Sequence, residues 1–175
     1  MDTKIITESY LHELQAEVPA TRKCLERITP GTFKFKPHEK SMEMGYLALL
    51  VAEIPLWMAV MIEQGEIDLA SFPHPTTQTT EELLRYFDDN VKRAESALEK
   101  LNDSDLANQF TLKSNGQAFY SSPLRVDLRT TLNHWVHHRG QLTVYMRLND
   151  IAVPALYGPS ADDKSFSVRK RRLRA

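Results

Sequence analysis

The residues from Gly45 to Ile62 are almost wholly apolar, with Glu53 and Pro55 at their centre. A helix with no polar face is stable only when surrounded, either by other helices or by lipid. The stretch approaches spanning length, but a carboxylate at its midpoint would be costly in hydrocarbon. No second such segment exists in the chain. The reading is therefore a buried bundle helix and no membrane association. Ser41 is a plausible N-cap, the helix runs from Met42 to about Glu63, and Gly65 stops it. Pro55 should free the carbonyl of Val51 and bend the helix, which can open room for a pocket.

Three further helices are expected around this one. Leu11, Leu14, Val18, Leu25 and Ile28 form one stripe, with Glu13, Glu17, Arg22, Lys23 and Glu26 facing mostly outward and Pro19 inside. Thr29-Pro30-Gly31 ends that helix. Thr79 followed by Glu82 makes a capping box, and Leu83, Leu84, Phe87, Val91, Ala94, Leu98 and Leu101 recur at spacings of three and four. Ser122-Pro123 can start a last helix that reaches about Asn149. Before it, Asn115-Gly116 between Thr111-Lys113 and Ala118-Tyr120 predicts a short hairpin, an excursion between helices. The expected fold class is all-α, a four-helix bundle over residues 1–163.

The net charge of −1 conceals a tail, 164–175, with six basic residues and no acidic ones. Its closing run Arg169-Lys170-Arg171-Arg172-Leu173-Arg174 has no interleaved aromatics, which argues against nucleic acid as a partner and for a solvated tail. Cys24 is the sole cysteine, so no intrachain disulfide can form, and the N-terminus has no apolar signal core. A reducing cytoplasm fits best.

The chemistry concentrates in Asn133-His134-Trp135-Val136-His137-His138-Arg139-Gly140-Gln141-Leu142. His134 and His138 lie one helical turn apart on one face, a spacing that can supply two imidazole ligands to a divalent metal. They can also be core or interface histidines satisfied by hydrogen bonds, the commoner case for such a pair, and the residues alone leave both readings open. His38 in a loop and His74 between Pro73 and Pro75 read as solvated, and Cys24 reads as packed.

Three blocks carry a resemblance. They are Lys36 to Met42 leading into Ala52-Glu53-Ile54-Pro55-Leu56-Trp57, the run from Asn133 to Tyr145, and Tyr157-Gly158-Pro159-Ser160-Ala161-Asp162. Together they resemble the DinB-like (damage-inducible) family of four-helix bundle proteins.

That resemblance implies an up-down-down-up bundle, commonly a homodimer, holding zinc, nickel or iron with one histidine from the second helix and two from the last. The two correspond to His134 and His138. The third position falls on Leu50, three residues before Glu53, and leucine has no lone pair. Glu53 or His12 could replace it; otherwise the metal is weak or absent. Family members with known activity direct a low-molecular-weight thiol at a small electrophile, and others are thought to be hydrolases. Applied here, the resemblance gives a metal-dependent thiol S-transferase or hydrolase, with Glu53 as third ligand or general base and Gln141 and Tyr145 contacting substrate. The alternative is a metal-free, non-catalytic binding or stress-associated protein.

Overall fold

The structure is a computed structural model that describes residues 3–164. Four long helices, α1 (Ile5–Leu25), α2 (Met44–Gln64), α3 (Thr80–Lys100) and α4 (Leu124–Leu148), form the bundle. Short 3-10 turns lie at Pro30–Thr32 and Asp103–Ala107. α1 and α2 each pack mainly on α3 and α4, so they occupy opposite corners of a square. Lys4 meets Glu99 and Thr80 meets Ile28, so α1 and α3 are antiparallel. Tyr10 meets Arg125 and Thr21 meets Arg139, so α1 and α4 are parallel. Tyr145 meets Met42 and Thr131 meets Met61, which runs α2 against α4. In chain order the helices point up, down, down and up.

α2 is the core helix, with most of its residues buried, including Leu47, Val51, Ile54 and Met58 at 0% exposure. It is long and apolar enough to cross a membrane by length and composition, and it sits inside the bundle. Its N-cap is Glu43, without a side-chain cap, instead of Ser41. Gly65 ends it in the left-handed conformation, φ 69°. The carbonyl of Val51, which Pro55 strips of its helical donor, accepts the indole N–H of buried Trp135 at 2.8 Å. Asn90 supplies the neighbouring Ala52 carbonyl from α3, at 3.0 Å.

The all-α expectation is overturned by a three-stranded mixed sheet, β1 (Glu66–Asp68), β2 (Gln109–Ser114) and β3 (Gln117–Pro123). The hairpin read as a separate excursion is two thirds of it. β1 pairs parallel to β2 with Ile67 opposite Leu112, and β2 pairs antiparallel to β3 with Leu112 opposite Tyr120. The turn at Gly65 delivers the chain directly from α2 into β1, and Thr111 N–H donates to the Gly65 carbonyl at 2.9 Å. A strand of three residues is too short for alternation to reveal, and its partner lies far along the chain. Asp68 then grips the hairpin tip: its carboxylate accepts from the backbone N–H groups of Gly116 (2.6 Å), Asn115 (3.1 Å) and Ala70 (3.0 Å), which hold its pKa below the usual value. Asn115 and Gly116 both have positive φ, 51° and 78°, as a tight hairpin turn requires.

Caps complete the frame. Thr79 accepts from the Glu82 N–H at 3.1 Å, and Glu82 reaches back to the Gln78 N–H. α1 has no side-chain cap of its own at Lys4. Its first turn is satisfied from across the chain by Asp103, which accepts from the backbone N–H groups of Ile6 (3.1 Å) and Thr7 (3.0 Å).

Glu17, read as facing outward, is 5% exposed and pairs with buried Arg139 at 2.5 Å. Arg139 also donates to Thr21 (3.0 Å) and to the Tyr157 hydroxyl (2.6 Å), and that hydroxyl donates to Glu17 at 2.9 Å. Asp162 accepts from Arg147 at 2.6 Å and from the Val153 N–H at 2.8 Å. The Tyr157–Asp162 block thus straps the C-terminal segment onto α1 and α4. The basic tail beyond Lys164 lies outside the described residues.

Candidate functional site

α4 lies antiparallel to α2, and its turn from His134 to Gln141 brings three side chains into register. His138 is 8% exposed and His134 is half-buried. Their rings meet edge to face, centroids 4.3 Å apart, with the two Nε2 atoms 3.1 Å from each other. His138 Nδ1 lies 2.7 Å from Gln141 Oε1. An amide oxygen accepts only, so with Gln141 oriented this way His138 carries its proton on Nδ1 and His134 donates Nε2–H to the bare Nε2 of His138. Both rings are neutral in this arrangement. Burial pushes the pKa of each below the ordinary histidine value; the neighbouring imidazoles His138 and His137 push His134 further, and for His138 the Gln141 hydrogen bond partly opposes burial. His134 also stacks on Trp57, centroids 5.6 Å apart. His137 is exposed, its ring 5.1 Å from that of His138.

A separation of 3.1 Å also suits two imidazole nitrogens bound to one ion at about 2.0–2.1 Å. The remaining donors do not complete such a centre. Leu50 is a half-buried hydrocarbon packed on the core. His12 is exposed on α1. Glu53, 1% exposed, has its carboxylate filled: it accepts from Trp57 Nε1–H (3.0 Å), from the Tyr86 hydroxyl (3.2 Å) and from His74 Nδ1–H (3.0 and 3.1 Å to its two oxygens). Burial first, and the Glu53 charge second, push the Tyr86 phenol well above its ordinary value. Among the described residues no three His, Cys, Asp or Glu side chains gather closely enough to hold a metal ion. The residues present therefore do not fit the three-ligand centre that the resemblance implies.

Of the expected site residues, the structure brings His134, His138 and Gln141 together. Glu53 faces a different set of partners, and Tyr145 turns into the core, its hydroxyl donating to the Met42 carbonyl at 3.2 Å and its ring edge-on to Phe35. His74, read as solvated, keeps 48% of its side chain exposed yet reaches Glu53 through Nδ1. Nothing near Pro73 or Pro75 signals this. The signal was Glu53 itself, a carboxylate in an apolar helix that must find donors.

Beside these groups lies a cavity of about 210 Å³ between the sheet and the α2–α4 face, walled by Trp57, Phe72, Phe110 and Leu112, with His74, His134 and Asp127 among its lining residues. Asp127 accepts from the Tyr120 hydroxyl (3.1 Å) and from Ser122.

The comparisons with known proteins agree with this bundle. The uncharacterised protein YrdA of Bacillus subtilis strain 168 is 26% identical over 160 residues, covering 89% of this chain and 90% of that protein. A DinB-like protein from Bacillus subtilis has a similar fold, with a TM-score of 0.66 and 20% identity over 81% of this chain and 92% of that one. Another from Bacillus cereus ATCC 10987 gives 0.66 and 21% over 86% and 97%. The family model described as DinB family matches residues 1–171, nearly the whole length, and on that match the chain belongs to the DinB family.

Proposed function

We propose that this chain is a metal-independent small-molecule binding protein built on the DinB bundle, its metal centre reduced to a hydrogen-bonded histidine pair. The observation that carries this reading is the commitment of Glu53 to Trp57, Tyr86 and His74, next to a Leu50 that has no lone pair. With Glu53 so engaged, His134 and His138 have no third protein donor among the described residues. The cavity beside them supports binding in place of metal chemistry: its walls are mainly apolar and aromatic, as in ligand sites generally.

The test is elemental analysis of protein purified without chelator and then offered zinc, nickel, iron and manganese in turn. Substoichiometric metal throughout is the expected result, and one tightly held ion per chain would sink the reading. The second reading, a metal-dependent thiol S-transferase or hydrolase acting on a small electrophile, is favoured by the 3.1 Å Nε2 separation. That second reading predicts the tightly held ion. Homodimer formation and a cytoplasmic location accompany either reading as proposals.

A further inference from the structure

The polar groups lining the 210 Å³ cavity are not equivalent. The Asp127 carboxylate is occupied by two hydroxyls, and His134 spends Nε2 on His138 and keeps only Nδ1 as an acceptor, with no charged group orienting it from behind. His74 differs. Its Nδ1 is directed onto the buried Glu53 carboxylate, so in the neutral ring Nδ1 carries the proton and Nε2 the lone pair. Among the described residues no protein donor meets that nitrogen. The site therefore offers an oriented acceptor at the edge of an aromatic chamber.

Size and charge narrow what can enter. A dry apolar cavity of about 150 Å³ accommodates benzene, so this one has room for a single ring with a short substituent. Trp57 and Phe72 stand edge to face with centroids 6.4 Å apart, and Phe110 adds a third aromatic wall. Among the described residues no Lys or Arg lines the cavity, while Asp127 lines it and Glu53 lies behind His74, so an anionic ligand is disfavoured.

We infer that the cavity binds small neutral phenols, the ring held by Trp57, Phe72 and Phe110 and the hydroxyl donating to His74 Nε2. The inference rests on the small-molecule binding reading above and adds the ligand class and the residue that selects it. His74 is the selecting residue here, with Glu53 positioning it.

Phenol, toluene and benzoate are the probes, titrated into metal-free, isotope-labelled protein and followed by calorimetry and by the Trp57 indole and His74 ring resonances. Toluene keeps the ring and replaces the hydroxyl with methyl; benzoate adds charge. Phenol should bind saturably, shift both resonances, and bind roughly fivefold tighter than toluene, about one hydrogen bond to a half-exposed partner. Benzoate should bind most weakly. His74→Leu should abolish the preference for phenol while toluene binding persists. Should that variant not fold, the Nε2 nitrogen shift of His74 on adding phenol to the parent protein gives the same information. Equal binding of phenol and toluene, tighter binding of benzoate, no binding of any probe, or an unmoved His74 Nε2 would overturn the inference. Metal content, measured separately before chelation, fails or upholds the metal-free reading independently of these titrations.

Discussion

Trp135 donates its indole N–H to the Val51 carbonyl, the acceptor that Pro55 four residues later leaves without a helical donor. The carbonyl that Pro55 frees in the core helix is thereby satisfied from the neighbouring helix, and the largest buried side chain of α4 is fixed in direction. Trp135→Phe keeps most of the apolar volume and removes the donor. A buried carbonyl left unpaired costs about 1–3 kcal/mol, so chemical denaturation should show an unfolding free energy lower by that amount, seen as a lower midpoint with an unchanged slope. Loss of less than about 0.5 kcal/mol would mean that water or a shifted backbone satisfies Val51 instead.

Leu50→His supplies the imidazole that the resemblance places on α2. The variant should take up one zinc or nickel per chain where the parent takes up little, read by elemental analysis after dialysis. Equal uptake by both would show that a substitute ligand already acts in the parent.

The histidine pair sets a pH dependence whose sign is fixed. Both rings have folded-state pKa values below the ordinary histidine value of about 6.5. The unfolded chain then binds more protons than the folded one between the depressed values and the ordinary one, so stability rises with pH in that window. As pH falls through about 6.5 toward the folded midpoints, stability is lost. Ring-proton NMR should place both midpoints below the ordinary value of about 6.5, and midpoints at or above it would refute the desolvated pair.

Glu17 and Arg139 make a buried ion pair between α1 and α4, at 5% and 1% exposure. Removing one partner strands the other, at a cost of about 3–5 kcal/mol. Glu17→Met and Arg139→Leu should each destabilise strongly in urea, and the double variant carrying both should recover much of the loss. A double variant as unstable as the two singles summed would show that the charges act independently.

What could be read from the chain was what acts locally. Gly65, the Asn115-Gly116 turn, the Thr79 cap and the frustrated Val51 carbonyl each follow from residues within one turn of each other. β1 could not be read, because Ile67 is a strand residue only through pairing with Leu112. The same holds for Glu17, whose outward assignment followed helical periodicity and was overridden by an arginine far along the chain. At the site, the histidine pair and Gln141 were visible in a single helical run, whereas the Glu53–His74 contact required a linker to fold back over α2. For Glu53 buried charge was the available clue, since a carboxylate in an apolar helix demands a partner that periodicity does not name.

Asp103 satisfies the first turn of α1 from nearly one hundred residues downstream. Synthesis proceeds from the N-terminus, so α1 leaves the ribosome with that turn uncapped and stays so until Asp103 has followed it out. By then α2 and α3 have also emerged. The capping of α1 is thus tied to the arrival of the segment that leads into the sheet.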